Sequence, residues 1–367
     1  LAFGSLTRQG RVMARRRWIA PWKDSADRPA VYHVISRVVD RRFVFGAEEK
    51  EKFRTLMRMS EKFSGCRVLS YCVMSNHFHI LVEIPSPPED GGASWSDEKL
   101  LDHLGTLYSD RQMGKIRWEL EHYRAQENHE AAEAMRRRFF ARMWDISAFM
   151  KVLKQRFTQW FNRKHGRRGY LWEDRFKSVL VEDGHAAQTI AAYIDLNPVR
   201  AGMVEDPKDY RWCGYAEAVA GKKPARQGLR LVLFEKRSTH LNEQQAAQDL
   251  RSWREVIKAY RLVLFEGGEE TERDRGKQRK GISRQRVAKV LSGGGRLSEA
   301  ALLRCKVRYF LDGLVIGSEG FVNGAFHLTR GYFGPNRQSG ARKLKRVRSE
   351  LCSMRDLQRE PVSTWVT

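Results

Sequence analysis

Two runs of alternating side chains, Arg67 to Met74 and His77 to Ile84, are separated only by Ser75 and Asn76. A two-residue connection between such runs specifies an antiparallel hairpin and sets its register. Successive side chains on a strand point to opposite faces, so His77 and His79 share one face. Phe78, Ile80 and Val82 take the other, where a core can hold them. Two imidazoles about 7 Å apart along a strand, from ~3.3 Å of rise per residue, can lean toward one divalent ion. An isolated pair is also simply a polar strand face, and two ligands do not complete a metal site. A third ligand and a reactive group have to come from elsewhere in the chain.

The order of elements around this hairpin predicts the fold. Val31 to Val38 alternates as a strand, and Ala47 to Phe63 has helical spacing through Phe53, Leu56, Met57 and Phe63. With the hairpin this makes β-α-β-β, the first half of a ferredoxin-like arrangement. Pro85 to Gly92 breaks the pattern, and a charged helical region from Ser96 to about Arg142 reads as an insertion. Ser147 is the expected N-cap of a helix whose stripe is Phe149, Met150, Leu153, Phe157, Trp160 and Phe161. A strand at the end of Gly169 to Glu182 and a helix from about His185 to Leu196 complete the order, with Pro198 expected to end that helix. The expected fold class is therefore α+β: a ferredoxin-like palm, β-α-β-β-α-β-α with an antiparallel sheet, carrying a helical insertion and a mainly helical C-terminal extension. The expected units are a basic tail at 1–29, the palm at 30–86 and 145–215, the insertion at 87–144 and the extension at 216–367.

The last palm helix supplies candidates for the missing parts. Tyr193 and Asn197 are four apart and so share a helical face. Asn197 can ligate a hard ion through its amide oxygen, and Tyr193 can act as a nucleophile beside a cation. Singly, Tyr193 is also a packed aromatic and Asn197, before proline, a helix-terminating residue.

Charge selects the partner. A net charge of +24 and a pI near 10.1 repel basic partners and concentrate a polyanion, which points to nucleic acid. No run of eighteen apolar residues is present, and the basic clusters lack the apolar helix face of an interfacial anchor, so no membrane association is expected. The N-terminal apolar stretch is too short for a secretory signal. Cys66, Cys72, Cys213, Cys305 and Cys352 form no C-x-x-C pair, which indicates neither a disulfide framework nor a zinc knuckle; a cytoplasmic location is expected.

Four ordered segments, HVISRVVDRRFVF (His33 to Phe45), YCVMSNHFHILVE (Tyr71 to Glu83), GYLWEDRFKSVLVE (Gly169 to Glu182) and AAYIDLNPVRAGMV (Ala191 to Val204), together resemble the REP-associated tyrosine transposases. These form part of the single-tyrosine branch of the HUH endonucleases, within the insertion sequence 200-like transposases. The resemblance runs from about Ala30 to Tyr215, apart from the insertion. It implies that His77 and His79 are metal ligands, that Tyr193 is the nucleophile and that Asn197 is the third ligand. It implies a tyrosine helix laid across the histidine face, a divalent ion, Mg²⁺ or Mn²⁺, and cleavage and rejoining of single-stranded hairpin DNA through a 5′-phosphotyrosine bond. No nucleotide cofactor is then needed, and no G-x-x-x-x-G-K-[ST] loop is present.

For recognition, the resemblance places basic N-terminal residues such as Arg15, Arg16 and Arg17 against phosphate or bases, and Arg37, Arg41 and Arg42 at the end of the first strand against the hairpin. Trp172 and Arg175 are candidates to stack on or clamp an unpaired base, although a buried Trp and a structural Arg is the better reading of the two. Glu83 shares strand parity with the pair and reads either as a partner of the ligands or as a solvated strand end.

The extension has helical spacing near Glu243 to Phe265, Ser283 to Leu291, Ser298 to Leu311 and Glu319 to Tyr332, joined by Gly293-Gly294-Gly295 and Gly317. Such helices suit a further DNA module or a plain bundle. Arg337 to Arg348 is a basic run suited to DNA backbone or to a solvated tail. Oligomeric state, monomer or homodimer, is left open. A non-catalytic hairpin-binding regulator that keeps the same fold is the alternative function.

Overall fold

A computed structural model describes residues 18–23, 28–234, 252–265, 310, 313–344 and 349–355. The hairpin forms as the sequence requires. β2 (Arg67–Val73) and β3 (His77–Ile84) pair antiparallel with Val73 opposite Phe78 and Cys72 opposite His79, and a register shift between Val68 and Ser70 bends β2. β1 (Ala30–Arg37) pairs antiparallel with β3 on one side and with β4 (Lys177–Val181) on the other. The resulting order β2-β3-β1-β4 is the ferredoxin-like palm, and the fold is α+β as expected.

Side-chain parity divides the sheet into two cores. Tyr32, Val34, Phe78, Ile80 and Val82 face α1 (Ala47–Ser64) and α5 (Ile146–Lys164), whose Phe53, Met57, Phe149, Leu153 and Phe157 fill that side. α1 stops where Gly65 adopts φ 69, a left-handed C-terminal cap that glycine takes without penalty. The cap of α5 is Asp145, whose Oδ1 accepts from Ala148 N at 2.7 Å, and Ser147 lies inside the first turn. A carboxylate at that position also meets the positive end of the helix dipole.

The opposite face carries Val31, Ile35, Cys72, Leu81, Val179 and Val181 and is covered by α6 (His185–Asp195). α6 is apolar nearly all round because it is enclosed: the sheet lies beneath it, and α9 (Lys223–Leu233) and α10 (Trp253–Phe265) pack beside it. Pro198 does not end helical structure. α6 closes at Asp195, and Pro198 sits in the first turn of α7 (Asn197–Arg200), where a missing N–H costs no hydrogen bond. α8 (Gly214–Val219) follows and also packs against β2.

The insertion forms α2 (Asp97–Leu104), α3 (Asp110–Ala125) and α4 (His129–Phe140). Leu100, Leu104, Leu107, Phe140 and Met143 gather around Phe63 of α1 and Val152 of α5. It is thereby anchored to the two helices on the face of the sheet remote from the histidine pair. Asp97, which accepts from both Arg124 and Arg136, ties its three helices together.

The extension departs from a purely helical reading. It adds β5 (Val315–Gly317), parallel to β4, then β7 (Cys352–Met354) and β6 (Arg342–Lys343), giving a seven-stranded sheet in the order β2-β3-β1-β4-β5-β7-β6. Strands of two or three residues are too short to show an alternating pattern, and Gly317, expected between helices, is the end of β5. Of the expected helices there, α10 and α11 (Glu319–His327) form, with a short 3-10 turn at Arg330–Tyr332. The segments from Ser283 to Leu291 and from Ser298 to Leu311 lie outside the described residues, Phe310 excepted.

A candidate tyrosine and histidine active site

Register places the site. His77 lies opposite Arg37, His79 opposite Ile35 and Leu81 opposite His33, so the odd-numbered side chains of β1 and β3 all face α6. The rings of His77 and His79 are 5.1 Å apart between centroids, close enough to share one ion. The Nδ1 of His77 bonds Asn76 Oδ1 at 2.7 Å, and the Nδ1 of His79 bonds His33 Nε2 at 3.0 Å. Burial, reinforced by His77, His33 and the Arg200 cation, holds His79 well below the usual imidazole range. His33, wholly buried, is pushed down to about 3 by the same desolvation, although the Phe310 carbonyl on its Nδ1 pulls the other way. Both rings are therefore neutral at physiological pH, the form in which imidazole binds a metal.

Tyr193 reaches this pair from α6. Its ring centroid lies 6.2 Å from that of His79 and 6.2 Å from that of His33, edge-on to both. Phe310 packs edge-on against it at 4.9 Å, and the Arg200 guanidinium carbon stands 4.0 Å above its ring. The residue is only 2% exposed.

Asn197 sits at the expected place but is engaged otherwise. Its Nδ2 donates to Ile194 O at 3.0 Å and to Tyr193 O at 3.4 Å, closing the end of α6, and its Oδ1 accepts from Arg200 Nη2 at 2.7 Å. The same guanidinium nitrogen donates to Tyr193 O at 2.8 Å. The two histidines thus fit a divalent ion, whereas the Asn197 oxygen fits one only if Arg200 releases it. Among the described residues no three His, Cys, Asp or Glu side chains form a metal cluster, so any ion held by His77 and His79 would need oxygen from Asn197, phosphate or water to complete its coordination.

A second layer of polar contacts holds α6 in place. Asp195, wholly buried, accepts from Ser70 Oγ at 3.0 Å, Tyr215 N at 3.1 Å and Tyr260 Oη at 2.5 Å. Burial outweighs these three donors and raises its carboxyl to about 6. Glu83 is fully buried and pairs with Arg67, so it serves the β2–β3 hairpin.

The basic candidates divide by position. Arg37 is half-buried beside His77, and Arg41 and Arg42 are exposed on the loop after β1. That loop is tied to the hairpin turn by Val38 N to Asn76 O at 2.9 Å, Asn76 Nδ2 to Arg41 O at 2.8 Å and Phe45 N to Ser75 O at 3.0 Å. Backbone bonds from Val39 to Leu171 and from Glu173 to Arg37 bring the 170–173 segment to the same end. Trp172 does not face this surface. Its ring packs on Phe45, Phe53, Phe78 and Phe157, and its Nε1 donates to Thr158 Oγ1 at 2.9 Å, on the α1 and α5 side. Arg175 is exposed just beyond it, and Arg15, Arg16 and Arg17 lie outside the described residues. Arg337, first of the C-terminal basic run, spends its guanidinium on the carbonyls of Ser339, Gly340 and Arg355.

Sequence reasoning passed over four residues here. His33 opens a segment already singled out, and its parity with Ile35 and Arg37 was the available signal. Arg200 lies seven residues after Tyr193, two turns along the same face. Phe43 and Tyr170 carried no signal of exposure, yet stand 82% and 92% exposed beside Arg42 and Arg168.

Residues 29–89 match the family model described as transposase IS200 like. No curated protein matches the chain. Among solved structures, the chain is similar to one titled as a REP-associated tyrosine transposase bound to a REP hairpin, at 13% identity, over 57% of this chain and 85% of that one, with a TM-score of 0.34. At that overlap the ferredoxin-like assignment stands on the sheet order and register instead. The matched segment, about a sixth of the chain, spans β1, α1 and the hairpin with His77 and His79.

Proposed function

We propose that this protein is a metal-dependent single-stranded DNA endonuclease and strand transferase that acts on hairpin DNA of the REP type, with Tyr193 as nucleophile. The observation that carries this reading is the meeting of Tyr193 with His79 and His33, 6.2 Å from each, though they come from widely separated segments. A structural tyrosine needs no such company of neutral imidazoles.

His77 and His79 would hold Mg²⁺ or Mn²⁺, which when bound polarises the non-bridging oxygens of the scissile phosphate. Tyr193 Oη gives up its proton as it bonds to phosphorus, the P–O3′ bond breaks, and O3′ takes up one proton and leaves as a free hydroxyl, so that no net proton is consumed. The 5′ side remains joined to the tyrosine, and attack by a strand 3′-hydroxyl reverses the step without any nucleotide cofactor. Arg200, over the Tyr193 ring, brings positive charge to where negative charge develops. At the His77 end of the sheet, Arg37, Arg41 and Arg42 offer phosphate contacts, and the exposed rings of Phe43 and Tyr170 offer stacking platforms for unpaired bases.

The test is a labelled single-stranded hairpin incubated with the protein and Mn²⁺, followed by a search for a detergent-resistant protein-DNA adduct. Wild type forms it, Tyr193→Phe does not, and His77→Ala loses cleavage while keeping hairpin affinity. An adduct undiminished in Tyr193→Phe refutes the mechanism. Retained hairpin binding with no adduct under any metal would favour the non-catalytic regulator.

A further inference from the structure

His33 is buried completely, and both of its ring nitrogens are engaged: Nδ1 with the Phe310 carbonyl at 2.8 Å, Nε2 with His79 Nδ1 at 3.0 Å. A carbonyl oxygen only accepts, so His33 Nδ1 carries the hydrogen. The partners of the ring are a main-chain carbonyl and a second imidazole, and among the described residues no carboxylate bonds to it. A neutral His33 protonated on Nδ1 has its lone pair on Nε2, so the remaining hydrogen of this pair belongs to His79 Nδ1. The lone pair of His79 is then confined to Nε2. The rings are stacked, 5.2 Å between centroids and 21° apart in plane, so the first ring fixes the orientation of the second as well as its tautomer.

We propose that His33 is a positioning residue that presents His79 Nε2 as the ligand atom, with the main-chain carbonyl of Phe310 as the fixed end of the relay. The proposal rests on the reading of His77 and His79 as the metal pair. Its consequence is that the C-terminal extension takes part in the site: one residue of it, Phe310, sets the proton positions through its carbonyl and covers Tyr193 with its ring. The opposite arrangement is chemically distinct. A cationic His33 would donate from Nε2 to His79 Nδ1, leaving the hydrogen on His79 Nε2 and the ligand atom blocked.

Imidazole nitrogen NMR of the full chain, labelled at histidine and free of metal near pH 7.5, separates the two. Both His33 and His79 are expected as Nδ1–H tautomers; an Nε2–H His79 overturns the relay. Removing the acceptor in His33→Phe is expected to release a population of Nε2–H His79 and to weaken Mn²⁺ binding roughly 10–100-fold. In His33→Gln the amide oxygen replaces the Nε2 acceptor, and the Nδ1–H tautomer and most of the Mn²⁺ affinity return. Equal losses in the Phe and Gln variants mark a packing role only and overturn the proposal. A wild type with the expected tautomers that binds no Mn²⁺ refutes the metal site, and the relay's purpose with it. An Nε2–H His79 in a protein that does bind Mn²⁺ refutes the relay alone.

Discussion

Tyr260→Phe deletes one hydroxyl and leaves the shape of the core intact, which isolates the bond that ties α10 to the helix bearing Tyr193. Tyr260 is fully buried, its ring 5.6 Å from that of Tyr215, and its hydroxyl donates to Asp195 Oδ2 at 2.5 Å. At pH 8 the Asp195 carboxyl, raised by burial to about 6, is ionised, and loss of a hydrogen bond to a buried charge costs about 1.5–3 kcal/mol. At pH 5 the carboxyl is mostly protonated, and loss of a neutral hydrogen bond costs about 0.5–1.5 kcal/mol. The difference of about 1 kcal/mol corresponds to a further upward shift of just under one pKa unit for Asp195 in the variant. Urea unfolding of wild type and Tyr260→Phe at both pH values measures it. A destabilisation that is the same at pH 8 and pH 5, or below about 0.5 kcal/mol at pH 8, refutes the account of Asp195 as a buried carboxylate held by Tyr260.

Three further outcomes are expected. Gly228→Ala places a Cβ 2.7 Å from Leu69 O and 2.8 Å from Val68 O, backbone that cannot turn aside, so overpacking of about 1–3 kcal/mol outweighs the ~1 kcal/mol gained in helix propensity; thermal unfolding of the variant reads the net loss. His33 is lowered from 6.5 to about 3, so between these values the unfolded chain binds the extra proton and stability falls as pH drops, by up to ~1.4 kcal/mol per pH unit from this residue. Unfolding free energies at pH 7 and pH 4.5 fall less far apart in His33→Gln than in wild type, and an unchanged slope contradicts the assignment. Phe43→Ala and Tyr170→Ala each weaken single-stranded DNA binding by about 1–3 kcal/mol if a base stacks on the ring, measured by fluorescence anisotropy at fixed salt; a loss that vanishes at higher salt would mark a purely electrostatic contact.

Much of this architecture is local and therefore legible in the chain. The strict alternation of His77 to Ile84, the two-residue turn before it and the apolar stripe of α5 each specify an element and the face it buries, because strand and helix periods are short compared with the elements themselves. Strand parity put His77 and His79 together, and helical spacing put Asn197 beside Tyr193. Where such signals are weak, the structure differed. β5, β6 and β7 have too few residues to alternate, and Pro198 is compatible with ending one helix or opening the next. Trp172 was ambiguous between stacking on a base and filling a core, and the ring cluster of Phe45, Phe53 and Phe78 claimed it.

The amino-acid sequence by itself determined the α+β order and the shared strand face of His77 and His79, since each follows from periodicity and turns within a short window. The choice of Tyr193 as nucleophile rested instead on the resemblance of four ordered segments to a known family. Only the tertiary structure decided which side chains share a proton, a charge or a surface. His33 reaches His79, Phe310 reaches both His33 and Tyr193, Arg200 occupies the Asn197 oxygen, and Asp195 is held by Tyr260. These are contacts between segments distant along the chain, and no period within a segment encodes a partner that lies outside it.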